Sequence, residues 1–87
     1  MIYHIQFTPQ AIDDFSRLDT AIAKHIIEKI HWLAEHFNQI QPETLTGPFA
    51  NLFKLRAGNW RVLYTSDPVQ HTITIHVIDH CNKVYKS

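Results

Sequence analysis

Residues 53–64 read FKLRAGNWRVLY, and their reading decides the fold. Gly58-Asn59 separates two β-prone runs with a two-residue loop that has glycine first, the arrangement of a type II′ turn. Such a loop fixes the register: Ala57 faces Trp60, Arg56 faces Arg61, Lys54 faces Leu63 and Phe53 faces Tyr64. Side chains alternate along a strand, so Phe53, Leu55, Val62 and Tyr64 point one way and Lys54, Arg56 and Arg61 the other. Arg56 and Arg61 would form a non-hydrogen-bonded pair with Cα atoms about 4.5 Å apart. Unit charges at about 4 Å repel by roughly 1 kcal/mol in water. Folding does not call for that cost, and the three cations are drawn from only eight Lys and Arg in a chain of zero formal net charge. An anion-binding face is the alternative to a merely solvated one.

Downstream, Asp67-Pro68 opens the next turn and TITIHVI, residues 72–78, alternates as a third strand. Thr72, Thr74 and His76 share one side of it, and Ile73, Ile75 and Val77 the other. Continued in extended form, the strand puts His80 on the His76 side. One face would then gather Lys54, Arg56, Arg61, His76 and His80, with Lys83 and Tyr85 close behind.

Upstream, IYHIQF at residues 2–7 reads as a strand with Tyr3, Ile5 and Phe7 on one side. Thr8 offers an N-cap and Pro9 a first helical position, and Ala11, Phe15 and Leu18 follow as one stripe of a short helix. Asp13 and Asp14 are read as complementing that helix's dipole. Asp19-Thr20 interrupts the stripe and caps a longer helix, on which Ile22, Ile26, Ile30, Leu33 and Phe37 recur. The short break predicts an antiparallel helical hairpin. Residues 38–50, NQIQPETLTGPFA, read as a loop. The order β-α-α-β-β-β predicts an α+β fold, the hairpin packed on one face of a mostly antiparallel sheet. Trp32 and Trp60 are assigned to packing.

The chain has 87 residues and 10.2 kDa, which predicts a single domain over 1–87. Cys81 is the only cysteine, so no internal disulfide can form, and the opening MIYHIQFTPQ has no basic leader or long apolar run. A cytoplasmic protein without membrane attachment is expected. Zero net charge hides an asymmetry: six acidic residues face three basic ones through residue 43, and two face five thereafter. A local patch can hold an anion whatever the total.

The segments YHIQFTPQAIDDFSRL, FKLRAGNWRVLY and VIDHCNKVYK together resemble the RelE/ParE superfamily of prokaryotic type II toxins, its RelE-like branch in particular. The resemblance spans nearly the whole chain, and the middle segment is its most specific part. It implies a RelE-like fold and a ribosome-dependent endoribonuclease that cuts mRNA in the ribosomal decoding site. It also implies an antitoxin that holds the toxin inactive in a hetero-oligomer. The family's catalytic cations match Lys54 and Arg61, and HCNKVY matches the family's ending through His80 and Tyr85. Leu52 stands where some members carry a second lysine, and Cys81-Asn82 where an Arg-Arg pair is usual. The cationic site is thereby depleted.

Cleavage of RNA by its own 2′-OH needs a base for that proton, cations for the charge on phosphorus, and an acid for the departing 5′ oxygen. His80 is read as the proton-transfer residue, Lys54 as charge stabiliser or proton donor, Arg61 and Arg56 as phosphate ligands, and Tyr85 as a stacking or orienting residue. His76 and Lys83 would add RNA contacts. No metal or other cofactor is expected: His76 and His80, four apart on a strand, are separated by about 13 Å. Two other readings stay open, a ParE-like toxin that poisons DNA gyrase without cutting RNA, and an attenuated relative that mainly binds its antitoxin.

Overall fold

The computed structural model describes residues 3–39, 43–44 and 52–80. Strand β1 (His4–Phe7) leads into helix α1 (Pro9–Ser16) and helix α2 (Thr20–His36), which ends in a single 3-10 turn (Phe37–Gln39). A two-residue strand β2 (Glu43–Thr44) precedes β3 (Phe53–Ala57), β4 (Trp60–Asp67) and β5 (Thr72–His80). The sheet order is β1-β5-β4-β3-β2, with β1 parallel to β5 and every other pairing antiparallel. The α+β class and the element order are as predicted. The addition is β2, which lies within the segment read as loop and pairs Glu43 with Lys54 and Thr44 with Phe53.

Each predicted hairpin pair is present, from Phe53 with Tyr64 to Ala57 with Trp60. Gly58 takes φ +63°, and Asn59 does not take a positive φ, which is what a type II′ turn requires. The near face of the sheet carries Leu55, Ala57, Val62, Tyr64, Ile73, Ile75 and Ile78, all buried against Ile26, Ile30, Leu33 and Ala34 of α2 and Ala11 of α1. The stripe on α2 therefore buries as its spacing predicts. Trp60 packs partly buried against this core. Trp32 does not: it is 42% exposed on the outer side of α2, stacked on His36 at 4.8 Å with Lys29 Nζ 5.4 Å from its ring.

Thr8 does more than cap. Its hydroxyl accepts from the Ala11 N–H at 3.1 Å and donates to the His76 carbonyl at 3.3 Å, while its own N–H donates to the Ile75 carbonyl at 3.0 Å. Pro9 follows at the start of α1, where its missing N–H costs nothing. Replacing Thr8 by Ala is expected to cost about 1 to 2 kcal/mol and lower the melting midpoint by roughly 5 to 10 °C. Calorimetry checks this, with Thr8→Ser staying close to the parent.

Asp13 and Asp14 have other partners than the helix dipole invoked for them, since they lie beyond the first turn of α1. Asp13 pairs with Arg17 at 2.8 Å on the surface, a contact worth little. Asp14 accepts from Gln10 Nε2 at 2.8 Å and from the Ile78 N–H at 3.1 Å. The second bond matters for β5. Beyond Ile75 that strand has lost β1 as its neighbour, and Asp14 satisfies a backbone donor that would otherwise face the underside of a helix.

Candidate functional site

The decisive feature is a β-bulge. On β4, Leu63 pairs with Val77 but the next residue, Tyr64, pairs with Ile75, so His76 is an extra residue on β5. An extra residue reverses the alternation beyond it. Before the bulge Ile73 and Ile75 face the helices; after it Ile78 does, with Val77 and Asp79 turned to the far face. The bulge is stable because α1 supplies partners on either side of it, Thr8 to the His76 carbonyl and Asp14 to the Ile78 N–H.

This corrects the predicted grouping. His80 pairs with Trp60 rather than following His76, and its ring meets the Trp60 ring edge-on at 5.4 Å and 80°. Trp60 belongs to the helix side, so His80 leaves the face that carries Lys54, Arg56 and Arg61. His76 stays on that face. Its Nε2 lies 2.9 Å from the hydroxyl of Thr65, which pairs with Thr74 on the side away from the helices.

The far face can be read as rows across the strands. Lys54, Leu63 and Val77 form one, and Arg56, Arg61 and Asp79 the next. The arginine pair is thus real, but the reversal after His76 brings a carboxylate residue into register on the other side of Arg61. Arg56 is exposed and its Nε donates to the Gly58 carbonyl at 3.1 Å, which turns it along the hairpin. Lys54 is half-buried. Arg61 is fully buried, with 0% of its surface exposed, and Leu63 beside it is buried too. Arg61 therefore differs from the solvent-facing phosphate ligand read from the sequence: a phosphate meets Lys54 and Arg56 first. Tyr85 and Lys83, like Cys81 and Asn82, lie outside the described residues.

Clefts also lie elsewhere among the described residues. One of about 430 Å³ runs between β1 and α2, lined by Tyr3, His4, Ile5, His31, Ala34 and Glu35. Another of about 250 Å³ sits where α1 meets the end of the sheet, lined by Asp14, Arg17, Leu18, Trp60, Ile78 and Asp79. Among the described residues no three His, Cys, Asp or Glu side chains come together to hold a metal ion. No described helix is long and apolar enough to cross a membrane.

The bulge had one trace in the sequence that alternation alone missed. In TITIHVIDH the apolar residues fall at 73, 75, 77 and 78, so either Val77 or Ile78 had to leave the core. Ile78 stays, and only a shifted register accommodates it.

Comparison with known proteins follows the same lines. A family model described as the ParE toxin of type II toxin-antitoxin system, parDE, matches residues 5–85. No curated protein matches the chain by sequence. Among solved structures, the toxin-antitoxin complex RelBE2 of Mycobacterium tuberculosis contains a chain 27% identical, superposing with a TM-score of 0.80 over 92% of this chain and 99% of that one. The YoeB dimer of Staphylococcus aureus is 23% identical at a TM-score of 0.70, covering 92% of this chain and 98% of its own. The archaeal RelE-RelB complex of Pyrococcus horikoshii OT3 is 19% identical at 0.73, covering 95% and 99%. The last two establish a shared fold.

Proposed function

The chain belongs to the ParE toxin family of type II toxin-antitoxin systems, within the RelE/ParE superfamily, and from that premise we propose that it is a ribosome-dependent endoribonuclease that cuts mRNA in the decoding site. The observation that carries the reading is the far face of the sheet, which carries Lys54 and Arg56 on β3, the buried Arg61 paired with Arg56 on β4, and His76 on β5. Lys54 and Arg56 would hold the oxygens of the scissile phosphate, Arg56 with the paired N–H groups of a guanidinium. Arg61, opposite Arg56 on β4, would act from a buried position. An antitoxin would restrain the activity, as the RelBE2 likeness suggests.

The far face asks little of a nuclease beyond charge and position. The attacking 2′ oxygen belongs to the substrate, so the protein supplies orientation, charge for the transition state and proton exchange. No metal is needed in such a scheme. Tyr85 and Lys83 complete the reading as residues that orient a base and extend the RNA contact.

Mapping mRNA ends after incubation with translating ribosomes tests this. Cuts within the codon held in the decoding site are the expected result, and intact message would reject the reading. One observation favours a second reading, poisoning of DNA gyrase: the matching family model is that of the ParE toxin. Inhibited supercoiling with accumulated cleaved DNA, and intact mRNA, would select it.

A further inference from the structure

Resting on the ribonuclease reading, we propose that His76, the extra residue of the β5 bulge, is the base that takes the proton from the attacking 2′-OH, and that Thr65 is the residue that positions it. Three observations converge. The bulge leaves His76 on the face of Lys54 and Arg56 while it turns His80 toward Trp60. Thr65 Oγ1, on that same face, lies 2.9 Å from His76 Nε2 and holds the ring by one nitrogen. The backbone at His76 is fixed as well, its carbonyl accepting from the Thr8 hydroxyl at 3.3 Å.

The assignment follows from the two nitrogens of an imidazole. With Nε2–H donating to the Thr65 hydroxyl, the Nδ1 lone pair remains available to a proton, and none of the hydrogen bonds of the described residues ends on it. An imidazole is the side chain whose neutral and charged forms are both accessible near neutrality. In the reaction, Nδ1 takes the 2′ proton as the bond from the 2′ oxygen to phosphorus forms. The bond from phosphorus to the 5′ oxygen breaks, and that oxygen takes a proton from water or Lys54. The products are a 2′,3′-cyclic phosphate and a 5′-hydroxyl end, and the imidazolium returns its proton to solvent. Throughout, the Nε2–H bond to Thr65 is kept, so proton uptake needs no reorientation of the ring.

The test is single-turnover cleavage on programmed ribosomes by the full chain and by His76→Gln, His76→Ala and Thr65→Val, with ribosome association measured in parallel. His76→Gln is expected to slow cleavage about 100-fold to 1,000-fold at unchanged association. Added imidazole should raise the rate of His76→Ala by roughly 10-fold or more, which a structural role would not do. Thr65→Val should cost roughly 3-fold to 10-fold, the worth of one positioning hydrogen bond. Parent cleavage with His76→Gln within roughly 3-fold of it would overturn the assignment and leave the ribonuclease reading standing. A loss in both His76 variants that follows their melting temperature and does not respond to imidazole would overturn it too. No cleavage by the parent chain would remove the ribonuclease reading itself, and this one with it.

Discussion

Replacing Lys54 and Arg56 together by alanine is expected to reduce decoding-site cleavage by roughly 10²-fold to 10⁴-fold while the protein stays folded. The size follows from what each side chain does in the transition state. A charge-assisted hydrogen bond to a phosphoryl oxygen is worth about 1.5 to 3 kcal/mol, and two of them acting on one phosphate compound to about two to four powers of ten. The sparing of the fold follows from the register. Both residues project from β3 away from Leu55 and Ala57, which are the positions that bury against the helices. The bond from Arg56 Nε to the Gly58 carbonyl is exposed and local to the hairpin, and removing Arg56 relieves the like-charge pair with Arg61. Stability should change by about 1 kcal/mol, most of it at the half-buried Lys54. Single-turnover kinetics and a calorimetric scan on the same preparation give both numbers. Unchanged cleavage in the double variant would mean that the far face does not meet RNA, and the gyrase assay would become the next measurement.

That prediction separates what the sequence made legible from what it did not. The hairpin was readable because its determinants are local: a glycine first in a two-residue loop admits one register, and the five pairs from Phe53 to Ala57 follow from it. The stripe on α2 was readable for a similar reason, since Ile26, Ile30 and Leu33 recur at one period and bury as one strip. His80 was misplaced because a bulge is not local. The extra residue at His76 is stabilised by Thr8 and Asp14, residues more than sixty positions away, and the one trace within TITIHVIDH, apolar residues at both 77 and 78, does not say which of the two leaves the core. Arg61 was placed on the correct face and given the wrong exposure. Strand alternation says which way a side chain points and nothing of what lies over it.

Tyr64→Ala is expected to be the most damaging single change to the fold, costing about 3 to 5 kcal/mol and lowering the melting midpoint by roughly 15 to 30 °C. Tyr64 is almost fully buried and stands at the centre of an aromatic chain. Its ring lies 5.6 Å from Phe53 and 6.3 Å from Phe37, which in turn lies 4.7 Å from Tyr3, so one side chain couples β3, β4, the end of α2 and the residue before β1. Truncation leaves a cavity that strands on both sides cannot close without breaking register, and small domains hold little stability in reserve. Tyr64→Phe keeps the ring and should cost about 1.5 kcal/mol or less. The position of Tyr64 extends the effect to the site. It marks the step at which β4 passes from pairing with Val77 to pairing with Ile75, so the residue that anchors the core also fixes where His76 is left over. At a temperature where both variants remain folded, Tyr64→Phe should cleave like the parent. Tyr64→Ala should cleave more slowly with unimpaired ribosome association, because a core that lets the bulge slide loses the His76 geometry before it loses the cations on β3.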